Sequence, residues 1–163
     1  IGFKFFPKQN QKVEALVNNN SQIKIICLVR KNKLAQFASK KTADLSKQWH
    51  LSKDAERSIP EKPTFEPKLF NFFLNKHQKT MSIAGKSQKR NGNVHFIYYE
   101  TLNMPKTYEG IHQFLGYEGN DKHVFFESIY KKMSSGPVAE RFNNPELVEE
   151  YLKSNGLAHW QND

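Results

Sequence analysis

The chain carries one cysteine, Cys27, in 163 residues, so no internal disulfide can brace it. Cys27 sits inside an apolar run and reads as a reduced core thiol of a cytosol-like compartment; the expected location is cytoplasmic. No apolar stretch approaches the roughly 20 residues needed to cross a bilayer, which argues against a transmembrane segment. The six histidines (His50, His77, His95, His112, His123 and His159) show no metal-ligand spacing. With only one cysteine beside them, a metal site is not expected. A nucleophile elbow, a paired-carboxylate motif and a dinucleotide fingerprint are all missing. The opening Ile1-Gly2-Phe3-Lys4-Phe5-Phe6 is neither a start methionine nor a secretory signal. It reads as a strand already under way, and the chain as a fragment or processed product.

Acidic residues are also scarce. Sixteen of them face 25 lysines and arginines, a net charge of +9. From Arg30 to Lys53 the chain has Arg30, Lys31, Lys33, Lys40, Lys41, Lys47 and Lys53 against Asp44 alone, whereas Glu140, Glu146, Glu149 and Glu150 make the end locally acidic. Charge of this kind speaks about partners and not about fold, and it suggests a partner bearing phosphate or sulfate. Hydrophobic residues make up 37% of the chain, enough for a folded domain with one core.

The hydrophobic pattern alternates between strand and helix. Phe3 to Phe6 predicts a short strand, and Val13 to Val17 a helix that ends at Asn18-Asn19-Asn20-Ser21. Ile23 to Val29 is β-branched and nearly continuous, the pattern of a parallel strand covered on both faces. Asn32 is a good N-cap for a helix whose Leu34, Phe37, Ala38, Leu45 and Trp49 share one face. His50 to Pro67, with three prolines, reads as a surface loop. A second helix is expected from Pro67 to about Lys79, with Leu69, Phe70, Phe73 and Leu74 inward and a weaker continuation toward Arg90. Val94 to Tyr99 follows as a strand, Pro105 to Leu115 as a helix closed by Gly116, and Pro145 to Lys153 as a last helix. This order argues for a parallel sheet with flanking helices.

Ligands of open α/β sheets bind at the carboxyl ends of the strands. Two segments put polar residues there. In the first, Arg30 and Lys31 leave the strand and Ser39 follows in the next helix, so a cation, a hydroxyl and helix amides can converge on one phosphate. The second is Tyr98-Tyr99-Glu100-Thr101-Leu102, followed by Phe114-Leu115-Gly116.

These segments resemble sulfotransferases that use 3′-phosphoadenosine-5′-phosphosulfate, closest to the carbohydrate-type and bacterial Stf-like branches. In that family a strand ends in arginine and a serine eight residues later joins it on the donor's 3′-phosphate. Here Ser39 stands eight positions after Lys31 and nine after Arg30, with Lys31 where an arginine is usual. Lys41-Thr42-Ala43, Gln48-Trp49-His50 and Glu140 to Glu146 resemble further family segments, so the likeness spans nearly the whole chain.

The resemblance implies a P-loop-NTPase-like three-layer α/β fold, with residues 1–163 forming the central and C-terminal part of a single domain. It implies an enzyme that transfers a sulfuryl group from the phosphosulfate nucleotide to a hydroxyl acceptor, a carbohydrate by branch. Arg30, Lys31, Ser39, Tyr99 and Lys132 would hold the nucleotide, and Lys4 would steady the developing charge on the bridging oxygen. The family's 5′-phosphosulfate loop has no copy here, and Phe6 stands where cytosolic relatives have their histidine base. This chain alone is therefore expected to be a poor catalyst. Thr80 to Ser87 looks like a Walker loop but lacks the first glycine and continues a helical segment. Two rival readings are a basic nucleic-acid-binding module and a catalytically inactive relative acting as a binding protein. Nucleic acid is the less expected partner, because the aromatics fall mostly at core-facing positions.

Overall fold

A computed structural model describes residues 2–6, 9–49, 61–91, 93–117 and 136–162. The chain divides into two compact units, one of Ile1–Val29 with Asn75–Lys122 and one of Arg30–Leu74 with His123–Asp163.

The first unit holds helix α1 (Gln11–Asn19), strand β1 (Ile25–Val29), strand β2 (Val94–Tyr98) and helix α4 (Pro105–Leu115). The Asn10 side chain starts α1 by accepting from the backbone N–H groups of Lys12 and Val13 at 3.0 and 3.3 Å. β1 and β2 pair in parallel, Ile25 opposite Val94 through Val29 opposite Tyr98. A 3-10 turn, Tyr99–Thr101, leads out of β2 toward α4, which has proline in its first turn. Gly116 closes α4 with φ +74, a left-handed conformation that a side chain would strain. On the sheet, the His95 ring stacks on Phe114 of α4 at 5.2 Å and 22°.

The second unit is built around phenylalanine. Helix α2 (Lys33–Ser46) buries Leu34, Ala35, Phe37, Ala38 and Ala43. Helix α3 (Pro67–Asn91) contributes Phe70 and Phe73 through its first turns, and helix α5 (Pro145–Ser154) contributes Val148 and Leu152. Phe37 lies 5.2 Å from Phe70, 5.3 Å from Phe73, 6.4 Å from Phe65 and 6.2 Å from Phe142. Each such pair contributes about 0.5–1.5 kcal/mol beyond the area it buries. Phe65 lies in a segment without regular structure, so its buried backbone needs partners from elsewhere. Asn144 supplies them: its Oδ1 accepts from Phe65 N at 2.8 Å and its Nδ2 donates to Phe65 O at 3.0 Å.

Several expectations are corrected. The P-loop-NTPase-like three-layer sheet does not form: β1 and β2 are the two strands among the described residues, and helices dominate. Phe3 to Phe6 is no strand. β1 is not covered on both faces, since Ile26 is 38% and Leu28 58% exposed. Leu45 and Trp49 are both exposed: Leu45 stands in the last turn of α2, and Trp49 lies beyond the helix, which Lys47 ends in the left-handed region at φ 58. Leu69 is exposed as well, while Phe70 and Phe73 take the inward positions. α3 runs on to Asn91, so Thr80 to Ser87 lies within continuous helix. His50 and most of the expected loop before Pro67 fall outside the described residues.

Candidate anion-binding site

The second unit begins at Arg30, and its chain passes Lys31 and Asn32 and enters α2 at Lys33. Asn32 is 5% exposed and has every polar atom of its side chain engaged. Its Oδ1 accepts from Ala35 N at 2.9 Å, capping the helix. Its Nδ2 donates to Trp160 O at 3.0 Å and to Asn162 O at 2.8 Å. One buried amide thus fixes the start of α2 and ties it to the C-terminal segment that follows α5.

On this anchored turn, Arg30 and Ser39 come together. Arg30 Nη1 donates to Ser39 Oγ at 3.4 Å, and Ser39 Oγ donates to Ala35 O at 2.9 Å. The hydroxyl hydrogen is thereby turned toward the helix backbone and an oxygen lone pair toward the guanidinium. Lys33 Nζ donates to Arg30 O and lies 3.4 Å from Gln36 Oε1. Lys31 flanks the group and is exposed. The first turn of α2 contains no acidic residue. Arg30, Lys31 and Lys33 therefore gather at the positive pole of a 14-residue helix, where a negative group is worth about 0.3–1 kcal/mol and a cation is unfavourable.

The other sequence candidates have different settings. Lys4 is exposed, with Nζ 5.0 Å from the centroid of the Phe6 ring. Tyr99 is exposed at the start of the turn after β2. Both belong to the first unit, whereas Arg30, Lys31 and Ser39 belong to the second. Lys132 lies outside the described residues. Sequence reasoning missed the parts played by Lys33 and by the Asn32 tether. The signal for Lys33 was its place three residues after Arg30 in a first turn free of carboxylates; nothing local announced that Asn32 would reach Trp160 and Asn162.

Elsewhere in the second unit, a shallow groove of about 460 Å³ runs along α5 and the Ala158–Trp160 turn. Glu146, Glu149 and Glu150 line it against Lys153 alone, a charge balance that repels an anion. In the first unit, burial raises the Cys27 thiol above its ordinary pKa, which keeps it protonated near neutrality and poor as a nucleophile. Among the described residues, no group of three or more His, Cys, Asp or Glu side chains is placed to hold a metal ion.

Compared with known proteins, the chain matches no family model, no curated protein and no solved structure. This finding and the fold together overturn the sulfotransferase reading. A phosphosulfate-dependent transferase of that family needs a sheet wide enough for a crevice at a switch in strand order, covered by helices on both faces. Among the described residues, two strands and their helices provide no such crevice, and no family match stands in for it. Membership of the family, sulfuryl transfer, the enzyme assignment and the sheet-based nucleotide-binding fold are therefore withdrawn together, and Lys4 has no transfer reaction in which to serve.

Proposed function

We propose that the chain binds a phosphate-bearing ligand at the N-terminal end of α2, with Arg30 as the principal contact, Ser39 orienting it, and Lys31 and Lys33 adding charge. The observation that carries this reading is the Arg30–Ser39 contact of 3.4 Å at a helix start that gathers three cations and has no acidic residue in its first turn. Like charges at the positive pole of a helix repel one another, and an anion between them relieves that cost. Arginine suits the role because its planar fork can meet two phosphate oxygens at once, while lysine acts as a point charge. The Ser39 contact restricts the guanidinium in advance, so less side-chain freedom is lost on binding. The phosphosulfate nucleotide carries a phosphate of this kind and stays within the proposed ligand class, without a transfer step.

Titration calorimetry with inorganic phosphate and with adenosine 3′,5′-bisphosphate tests the proposal. Arg30→Ala is expected to weaken binding about 10- to 150-fold, the loss of a charged hydrogen bond of roughly 1.5–3 kcal/mol. Ser39→Ala should weaken it less, by about 2- to 10-fold, because a neutral orienting bond is worth roughly 0.5–1.5 kcal/mol. If neither compound binds the native chain, or if Arg30→Ala binds as well as the native chain does, the site is not there.

A further inference from the structure

The 25 residues of α3 include six cations (Lys68, Lys76, Lys79, Lys86, Lys89 and Arg90) and not one aspartate or glutamate. An isolated helix of that composition repels itself and is held here by its inward face, where Phe70 is fully buried and Phe73 nearly so. The opposite side has its own pattern. At about 100° of rotation per residue, Lys68, Leu69, Phe72, Lys76 and Lys79 fall within one arc of roughly 100°. All five are exposed, Phe72 by 71% and Leu69 by 40%. Phe72 has a lysine four residues before it and another four after it, the spacing that sets side chains one above the other on a helix surface.

We propose that this face of α3 is a docking surface for an anionic lipid bilayer, with the helix lying along the interface. Charge complementarity argues for the partner: a helix whose Asp, Glu, Lys and Arg positions are all lysine or arginine is drawn to a leaflet rich in anionic headgroups, each lysine near the surface contributing about a fivefold gain in binding. The exposed apolar residues argue for lipid rather than a purely ionic partner. Phe72 and the aliphatic Leu69 sit on the same arc as the lysines, so they reach the acyl boundary when the lysines reach the phosphates. A nucleic-acid strand would use the cations and could stack on one ring, but it offers nothing to Leu69. No helix among the described residues is long and apolar enough to cross a membrane, so the mode is lying on the surface and not spanning.

Sedimentation of the full chain with vesicles tests the proposal. Vesicles of equal parts phosphatidylserine and phosphatidylcholine are expected to carry the chain into the pellet, vesicles of phosphatidylcholine alone to leave it in solution, and added salt to release it. The triple variant Lys68→Gln, Lys76→Gln, Lys79→Gln should bind the anionic vesicles roughly a hundredfold more weakly. Phe72→Ala should weaken binding severalfold, and its exposed position leaves the helix content seen by circular dichroism unchanged. The proposal is overturned if the native chain ignores anionic vesicles, if either variant binds them as well as the native chain, or if those lysines serve a single-stranded oligonucleotide while vesicles are ignored.

Discussion

In the second unit Phe37, Phe65, Phe70, Phe73 and Phe142 are all buried, whereas in the first unit Ile26 and Leu28 of β1 meet solvent and neither α1 nor α4 buries a residue fully. Both units contain amphipathic helices, so patterning alone does not account for the contrast. What differs is the number of directions from which a helix face is covered. α2 meets Phe65, Phe70, Phe73 and Phe142 around one ring, and a chain segment without regular structure is pinned into the cluster by Asn144. Among its described residues the first unit has a two-stranded sheet, which covers little area and is marginal unless other elements pack on it. The proposed anion site lies on the better-packed unit, where the helix carrying it is held from within.

This contrast can be broken first by truncation. Phe70→Ala should cost about 3–5 kcal/mol, because a large ring leaves a cavity that its neighbours cannot fill. Ile97→Ala in the first unit should cost about 2 kcal/mol, at the low end for such a change, since neighbouring β1 is already open to solvent. Chemical denaturation of the two variants checks this; equal losses would mean that the two cores are equally well packed.

The Asn32 tether sharpens the comparison at a smaller scale. Asn32→Ala removes the cap of α2 and leaves two carbonyls without their buried donor, a loss of about 2 kcal/mol. Asn32→Asp keeps the capping oxygen but not the donors to Trp160 and Asn162. It should therefore preserve the start of α2 and loosen the C-terminal segment, seen as faster amide exchange around residues 157–162. If exchange there is unchanged in Asn32→Asp, the tether does not hold that segment.

The smallest effect is expected at the exposed Lys40–Asp44 pair, 2.5 Å apart and four residues from each other on α2. Asp44→Ala should change stability by less than about 0.5 kcal/mol, because water screens such pairs. A loss comparable with that of Phe70→Ala would show that surface charge, and not the phenylalanine cluster, supports the second unit.

Much of the local structure was legible beforehand. Asn32 before an apolar-periodic run marked the start of α2, Pro105 and Gly116 bracketed α4, and Pro145 marked the start of α5. These are signals set by the backbone needs of one or two residues. The breadth of the sheet was not legible in the same way. Ile23 to Val29 looked like a strand buried on both sides, but an apolar run records a preference for cover and does not provide it. The candidate site was half legible: Arg30, Lys31 and Ser39 stood out by charge and spacing, while Asn32's hold on Trp160 and Asn162 joins positions far apart in the chain.

By itself, then, the sequence determined where α2, α4 and α5 start and where α4 stops, which end of α2 is positive, and that the chain as a whole is basic. These follow from caps, prolines, glycines and charge, each acting over a few residues. Only the tertiary structure decided that five phenylalanines from four separate segments meet in one cluster, that β1 keeps an exposed side, and that Phe72 and Leu69 of α3 face outward with lysines. Those outcomes depend on which surfaces meet across long stretches of chain, and no pattern confined to one segment contains that information.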